Sequence, residues 1–162
     1  MAGGHDTGSR GEADWPDLAG RLTDDGHVLP VRIYYEDTDF SGVVYHAAYL
    51  KFAERGRSDF LRLCGIHHAA LEAGEHGESL AFAVRHMELD FHAPARIDDL
   101  LEVETRLREA RGARLVLDQS IRRGGTLLFH ASVTVVVISA QGRPRRLPAG
   151  LAERLAQPGG RP

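Results

Sequence analysis

Over about sixty residues from position 80, apolar and polar side chains alternate with a period of two, the mark of strands that turn one face to a core. Leu101, Val103, Thr105 and Leu107 fall on one face of such a segment, and Glu102, Glu104, Arg106 and Arg108 on the other. Strands are predicted over 80–92, 100–109, 114–122 and 127–139. Arg111-Gly112 and Gly124-Gly125 supply tight turns between successive members, so these strands are expected to pair antiparallel, as a meander. Val31, Ile33 and Tyr35 alternating against Arg32 and Tyr34 predict one more short strand, over 30–35.

Between the short strand and the long ones the period becomes helical. Tyr49, Ala53, Gly56, Phe60 and Leu63 share a face over 47–64, with Lys51, Arg55, Asp59 and Arg62 elsewhere, and Gly65 is placed to stop the helix. A shorter helix is expected over 67–73, before the turn-rich 74–79. The last strand carries Val133, Val135, Val136, Val137 and Ile138, so it is apolar on both faces and needs cover on each. The long helix covers one side, and a second subunit is the simplest cover for remaining apolar surface or an unpaired edge. The residues alone therefore predict an α+β fold, one helix cradled by a curved antiparallel sheet, in an oligomer.

A chain of 162 residues that is 43% apolar has room for one domain with a real core. That domain is expected over 30–156, after a flexible tail at 1–29 and before a loose end at 157–162. In the tail, Trp15, Leu18 and Leu22 offer only a weak helical stripe. The tail has no continuous apolar run of the signal-peptide kind, and no later stretch reaches the roughly 18 apolar residues of a membrane span, so a cytoplasmic protein is expected. The net charge is −3 with the basic residues interspersed among acids, which leaves no footprint for nucleic acid. Cys64 is the single cysteine, so no internal disulfide forms and no zinc spacing exists.

The segment from Tyr34 to His46 concentrates acids, a histidine and a glycine between a strand and the main helix. Exposed helix N–H groups at such a junction can polarise a carbonyl oxygen, and Asp39 beside them could attack a thioester carbonyl or deprotonate a water. Turn and capping bonds are the ordinary use of Asp37, Thr38 and Asp39 in a loop, and the pattern alone leaves both uses open. His46 is equally suited to orienting substrate and to holding the loop. A metal site from Glu36, Asp37, Asp39 and His46 matches no standard spacing. Glu54, Arg57 and Asp59 read as helix-surface or interface pairs, Cys64 as a packed side chain, and His67, His68, His86, His92 and His130 as structural or solvated.

The runs Val31-Arg32-Ile33-Tyr34-Tyr35-Glu36-Asp37-Thr38-Asp39, Gly42-Val43-Val44-Tyr45-His46 and Tyr49-Leu50-Lys51-Phe52-Ala53-Glu54-Arg55 resemble the signature of the YbgC subgroup of the 4-hydroxybenzoyl-CoA thioesterase family, acyl-CoA thioesterases associated with the Tol-Pal system. The likeness continues through Phe82-Ala83-Val84-Arg85, Ala93-Pro94-Ala95-Arg96, Asp98-Asp99-Leu100-Leu101 and Arg145-Arg146-Leu147-Pro148. It implies a hotdog fold, a homodimer that joins its sheets or a homotetramer of such pairs, and hydrolysis of an acyl-CoA, or of an acyl group on acyl carrier protein, to free acid and thiol. It places the catalytic carboxylate at Asp39 and makes Tyr45 and His46 active-site residues, with backbone amides there polarising the thioester. No cofactor is implied, since CoA is part of the substrate, and any membrane association would be peripheral, at the inner membrane.

Arg111 is the expected CoA phosphate contact, ahead of Arg85, Arg114, Arg122 and Arg123, because its turn matches a basic turn in related enzymes. Two departures from the family pattern stand out. Phe40-Ser41 replaces small residues, and a bulky Phe40 is expected to narrow the acyl pocket; Ala48 stands where Asn is frequent. Because fold does not fix function, a non-catalytic acyl-thioester or carrier-protein binding protein of lipid metabolism and envelope maintenance is the alternative, with a hotdog dehydratase behind it.

Overall fold

The computed structural model describes residues 20–158. Within them a six-stranded antiparallel sheet curves around one long helix, as the hotdog resemblance implied. The strands are β1 (Arg21–Thr23), β2 (Gly26–Arg32), β3 (Leu80–Phe91), β4 (Leu100–Arg111), β5 (Arg114–Arg123) and β6 (Thr126–Ser139); the helices are α1 (His46–Leu63), α2 (His68–Glu72) and α3 (Ala149–Ala156). Gly112, Gly124 and Gly125 hold positive φ in the turns joining β4 to β5 and β5 to β6, which is why those two hairpins close where the sequence predicts.

Three features differ from expectation. The order across the sheet is β1-β2-β4-β5-β6-β3, so only β4-β5-β6 form a meander. β3 crosses to the far edge and pairs with β6, Leu80 opposite Ser139 and Phe91 opposite Phe129, because its neighbour in sequence, β4, has both edges taken by β2 and β5. The sheet also begins before residue 30: residues 21–29, expected in the tail, form β1 and most of β2, with His27 and Leu29 turned inward. Their apolar content is low because the buried position at 27 is a histidine. Leu22 therefore sits in a strand, while Trp15 and Leu18 lie outside the described residues, as do 1–19 of the tail expected over 1–29 and 159–162 of the end expected over 157–162. Finally, α3 was not expected; Leu151 and Leu155 bury themselves and, with Leu147, cover the sheet near the β4–β5 turn.

α1 lies in the concave face, burying Tyr49, Phe52, Ala53, Phe60 and Leu61 against Leu101, Val103, Leu117, Ile121 and Val133. Gly56 faces the sheet so closely that a Cβ there would stand 2.7 Å from Val103 Cγ1. The helix surface reading fails for Arg57, which is buried: its Nη1 donates to Gln119 Oε1 at 2.8 Å, and Gln119 Nε2 donates to Ala53 O and to Thr105 Oγ1. Glu54 bonds the same guanidinium from the exposed side. Asp59 serves both sides: its Oδ1 accepts from Arg62 at 2.8 Å, the helix-surface pair the sequence suggests, while its Oδ2 turns inward to His27 Nε2 at 2.7 Å and to the Gly20 N–H at 2.7 Å. Gly65, at φ +75°, ends the helix as expected.

Candidate active site

The loop from Tyr34 to Tyr45 is built from its own short-range bonds. Tyr34 N–H donates to Asp37 Oδ2 at 2.9 Å, Thr38 Oγ1 donates to Tyr35 O at 2.8 Å, and a 3-10 turn forms over Tyr35–Asp37. For Asp37 and Thr38, then, the capping and turn reading holds. The loop then doubles back: Asp39 N–H donates to Val43 O, Gly42 N–H to Asp39 O, and Tyr45 N–H to Asp37 O. Gly42 takes φ +78° at this bend, where a side chain would be strained. Val44 is buried and its N–H donates to Ala95 O at 2.8 Å, which anchors the loop to the segment before β4.

Asp39 is fully exposed at the surface of this bend. The Ser41 hydroxyl and the Ser41 N–H both donate to its Oδ1, and these bonds, with a smaller coulombic contribution from His46, hold the carboxyl below its ordinary pKa. Asp39 is accordingly a carboxylate at neutral pH, with Oδ2 receiving no bond among the described residues. Ser41, a departure from the family pattern, is the residue that holds it in place. Phe40, expected to narrow an acyl pocket, instead stands wholly exposed on the rim of a cleft of about 580 Å3 that also touches Tyr35, Asp39 and Ile97.

α1 begins immediately beyond this loop, and no side chain caps it. The Tyr45 N–H is committed to Asp37 O and the Ala48 N–H bonds Tyr45 O at 2.8 Å, so the open amides of the first turn are those of His46 and Ala47. The His46 ring packs edge-on against Tyr45, centroids 4.5 Å apart, and faces Phe91 at 6.4 Å. Together with Val44, Tyr49, Ala93 and Pro94, His46 and Phe91 wall a second pocket of about 260 Å3. Its floor is fixed by the Tyr49 hydroxyl, which accepts the Ala95 N–H at 2.9 Å, and by Tyr49 stacked on Phe129 at 5.5 Å. Burial raises the pKa of Tyr49, which keeps its hydroxyl neutral.

The structure thus brings Asp39, Tyr45 and His46 together at the start of α1. It does not bring Arg111 to them within one protomer. Arg111 ends β4, whereas the loop meets the opposite end, where Ile33 N–H donates to Asp99 O; the strand between them runs roughly 36 Å along its length, at about 3.3 Å for each of eleven residues. Of the other arginines, Arg114 pairs with Glu109, Arg122 with Glu104 and Arg123 with Asp99. Cys64 is buried, and burial pushes its thiol up to about 11, so it remains a packed, protonated side chain. Phe91 and His92, at the end of a strand far along the chain, are pocket residues that no local pattern marks.

The profile of the Thioesterase superfamily matches residues 41–130. Acyl-CoA thioester hydrolase YbgC of Escherichia coli O6:H1 is 44% identical over 130 residues, covering 79% of this chain and 94% of that protein. Acyl-CoA thioesterase YbgC of Haemophilus influenzae is 41% identical, covering 72% of this chain and 84% of its own length. Among solved structures, a probable thioesterase from Bartonella henselae superposes with a TM-score of 0.74 at 50% identity, over 76% of this chain and 99% of that one.

Proposed function

The chain belongs to the Thioesterase superfamily, in its YbgC group of acyl-CoA thioester hydrolases, and from that premise we propose that Asp39 supplies the reactive carboxylate of an acyl-CoA thioesterase. The observation that carries the assignment is the exposed, ionised Asp39 set by Ser41 beside an uncapped helix N-terminus. The thioester oxygen docks at the His46 and Ala47 amides, whose partial positive charge stabilises the oxyanion as it forms. Asp39 then either attacks the carbonyl carbon, expelling the CoA thiolate and leaving a mixed anhydride that water hydrolyses to free acid with one of its protons passing to the thiolate, or takes a proton from an attacking water, the tetrahedral intermediate then breaking its C–S bond and the proton passing from Asp39 to the departing thiolate. Tyr45 and His46 wall the reacting centre, and His46 stands close enough to favour the carboxylate form of Asp39. An acyl group on acyl carrier protein presents the same thioester and fits the same chemistry.

The site acts within an oligomer whose subunits join at the β3 edges. β3 is a twelve-residue edge strand with Val84 and Phe91 half exposed, and an unpaired strand of that length is a template for a second copy. A partner also offers the phosphate contact: Arg111, remote from Asp39 in its own protomer, is available only to another subunit's substrate. Among the described residues no helix is long and apolar enough to cross a membrane.

Thiol release from a panel of acyl-CoAs, comparing the intact protein with Asp39→Asn, tests the reading. Loss of at least about a hundredfold in kcat at unchanged fold content is expected for removal of a nucleophile or general base. Acyl-CoA binding without turnover by the intact protein would sink it and favour the binding-protein alternative.

A further inference from the structure

We propose that Phe40, with Tyr35 and Ile97, clamps the substrate at its thioester, and that Phe40 sets how tightly the substrate is held there. The inference rests on Asp39 as the reacting carboxylate and adds the side chains that hold the thioester against it. The cleft of about 580 Å3 that Asp39 lines is shared with Tyr35, Thr38, Phe40, Gly42 and Ile97. A carbonyl carbon that reaches Asp39 therefore passes between these side chains. The carbon atoms on either side of a thioester are apolar, and so are the surfaces that Tyr35, Phe40 and Ile97 turn to the cleft. Covering those surfaces takes them out of water, which favours binding whichever way the acyl group points.

The fold itself gains nothing from the Phe40 ring. Phe40 stands with Ser41 at the centre of a β-turn that the Gly42 N–H closes on Asp39 O at 3.0 Å, and the turn is tied further by Ser41 to Asp39 Oδ1 and by Asp39 N–H to Val43 O. A turn so tied holds the ring out, and Phe40 is 109% exposed, with Tyr35 82% exposed beside the same cleft. Turn centres ordinarily carry small and polar residues, and the family signature that this loop resembles has small residues at these positions. A large apolar side chain placed there leaves water only when something docks on it. The rest of the rim is alike: Tyr34, Ile97 and Leu100, all exposed, lie on the same loop, just before β4 or at its start. None of these residues belongs to β3, the edge given to a second subunit. The molecule that must come to Asp39 is the thioester, so the thioester is the occupant this rim serves.

The test compares the intact protein with Phe40→Ala and Phe40→Leu in thermal unfolding, sedimentation, and turnover of butanoyl-CoA and of butanoyl-N-acetylcysteamine, a thioester that lacks the nucleotide. In parallel, calorimetry measures binding of the non-hydrolysable thioether S-butyl-CoA to the same three proteins. Phe40→Ala should keep the midpoint and the mass of the intact protein, because the side chain is fully exposed. KM for butanoyl-CoA and Kd for S-butyl-CoA should rise at least about tenfold, the scale of burying one aromatic side chain, with Phe40→Leu intermediate. With binding lost equally from ground and transition states, kcat should stay within about threefold. The kcat/KM for the truncated thioester should fall by the same factor as for butanoyl-CoA, because the clamp acts beside the carbonyl. Unchanged KM and Kd in Phe40→Ala would overturn the inference. So would a loss confined to the CoA thioester, which moves Phe40 to the nucleotide, or a smaller sedimenting mass, which moves it to a subunit contact. An intact protein that binds S-butyl-CoA and turns over neither thioester removes the hydrolase reading alone, and the Kd ratio then decides the clamp; one that does neither removes both.

Discussion

At the scale of single residues, the site is made by small donors near a carboxylate. Asp39 is exposed, and the Ser41 bonds, with a smaller coulombic contribution from His46, strengthen its carboxylate form and fix its Oδ1; without the Ser41 bonds it would be one more surface acid. His27 shows the opposite situation. It is fully buried, with Nε2 donating to Asp59 and Nδ1 without a partner, and desolvation lowers its pKa from 6.5 despite the opposing pull of Asp59. A second proton on His27 would place an N–H where no acceptor stands. The unfolded chain therefore takes up a proton below about pH 6.5 that the folded chain refuses, so the stability contributed by neutral His27 is complete above that pH and is lost as the pH falls through the depressed folded value. Thermal unfolding from pH 7.5 to pH 5 should show the midpoint dropping with acidification, and His27→Gln should flatten that part of the profile.

At the scale of elements, α1 and the sheet are held at a distance set by Gly56 and by the polar chain Arg57–Gln119–Thr105. Alanine is the better helix former by about 1 kcal/mol. A Cβ at position 56 nevertheless meets Val103 Cγ1 at 2.7 Å and Thr105 Oγ1 at 3.1 Å, both on fully buried, branched side chains with no room to turn away. Gly56→Ala should therefore lower stability, by about 1–3 kcal/mol in urea unfolding, the usual cost of overpacking a core. Stabilisation by that variant would mean that the helix can lift off the sheet without loss. The helix also fixes the candidate site, since its first turn carries both open amides and one wall of the pocket beside His46.

At the scale of the whole molecule, the sheet leaves β3 open along its outer edge and places Arg111 far from Asp39. Both features are accounted for by a second copy joined edge to edge. Sedimentation of the purified protein should therefore give a mass at least twice 17.8 kDa at micromolar concentration, and a monomer would remove the subunit contact from the proposed site.

The sequence by itself determined the elements whose residues pack through short-range pattern. The alternation in β4 to β6, the glycine turns between them and the helical stripe of α1 each repeat within a few residues, so each is legible locally. The loop holding Asp39, Tyr45 and His46 was legible too, because its bonds span only a few positions and its motif resembles a family signature. Tertiary structure alone decided what depends on partners distant in the chain. β3 had to find β6 at the far edge, Arg57 had to meet Gln119 inside the core, and Asp59 had to receive His27 and Gly20; their sequence gives charged or mixed residues that read as surface until the partner arrives. The strand before residue 30 was hidden for the same reason, since a buried histidine in it leaves no apolar signal. Phe91 joins Tyr49 and His46 across more than forty residues of chain, and only folding turns an aromatic at the end of a strand into the wall of a pocket.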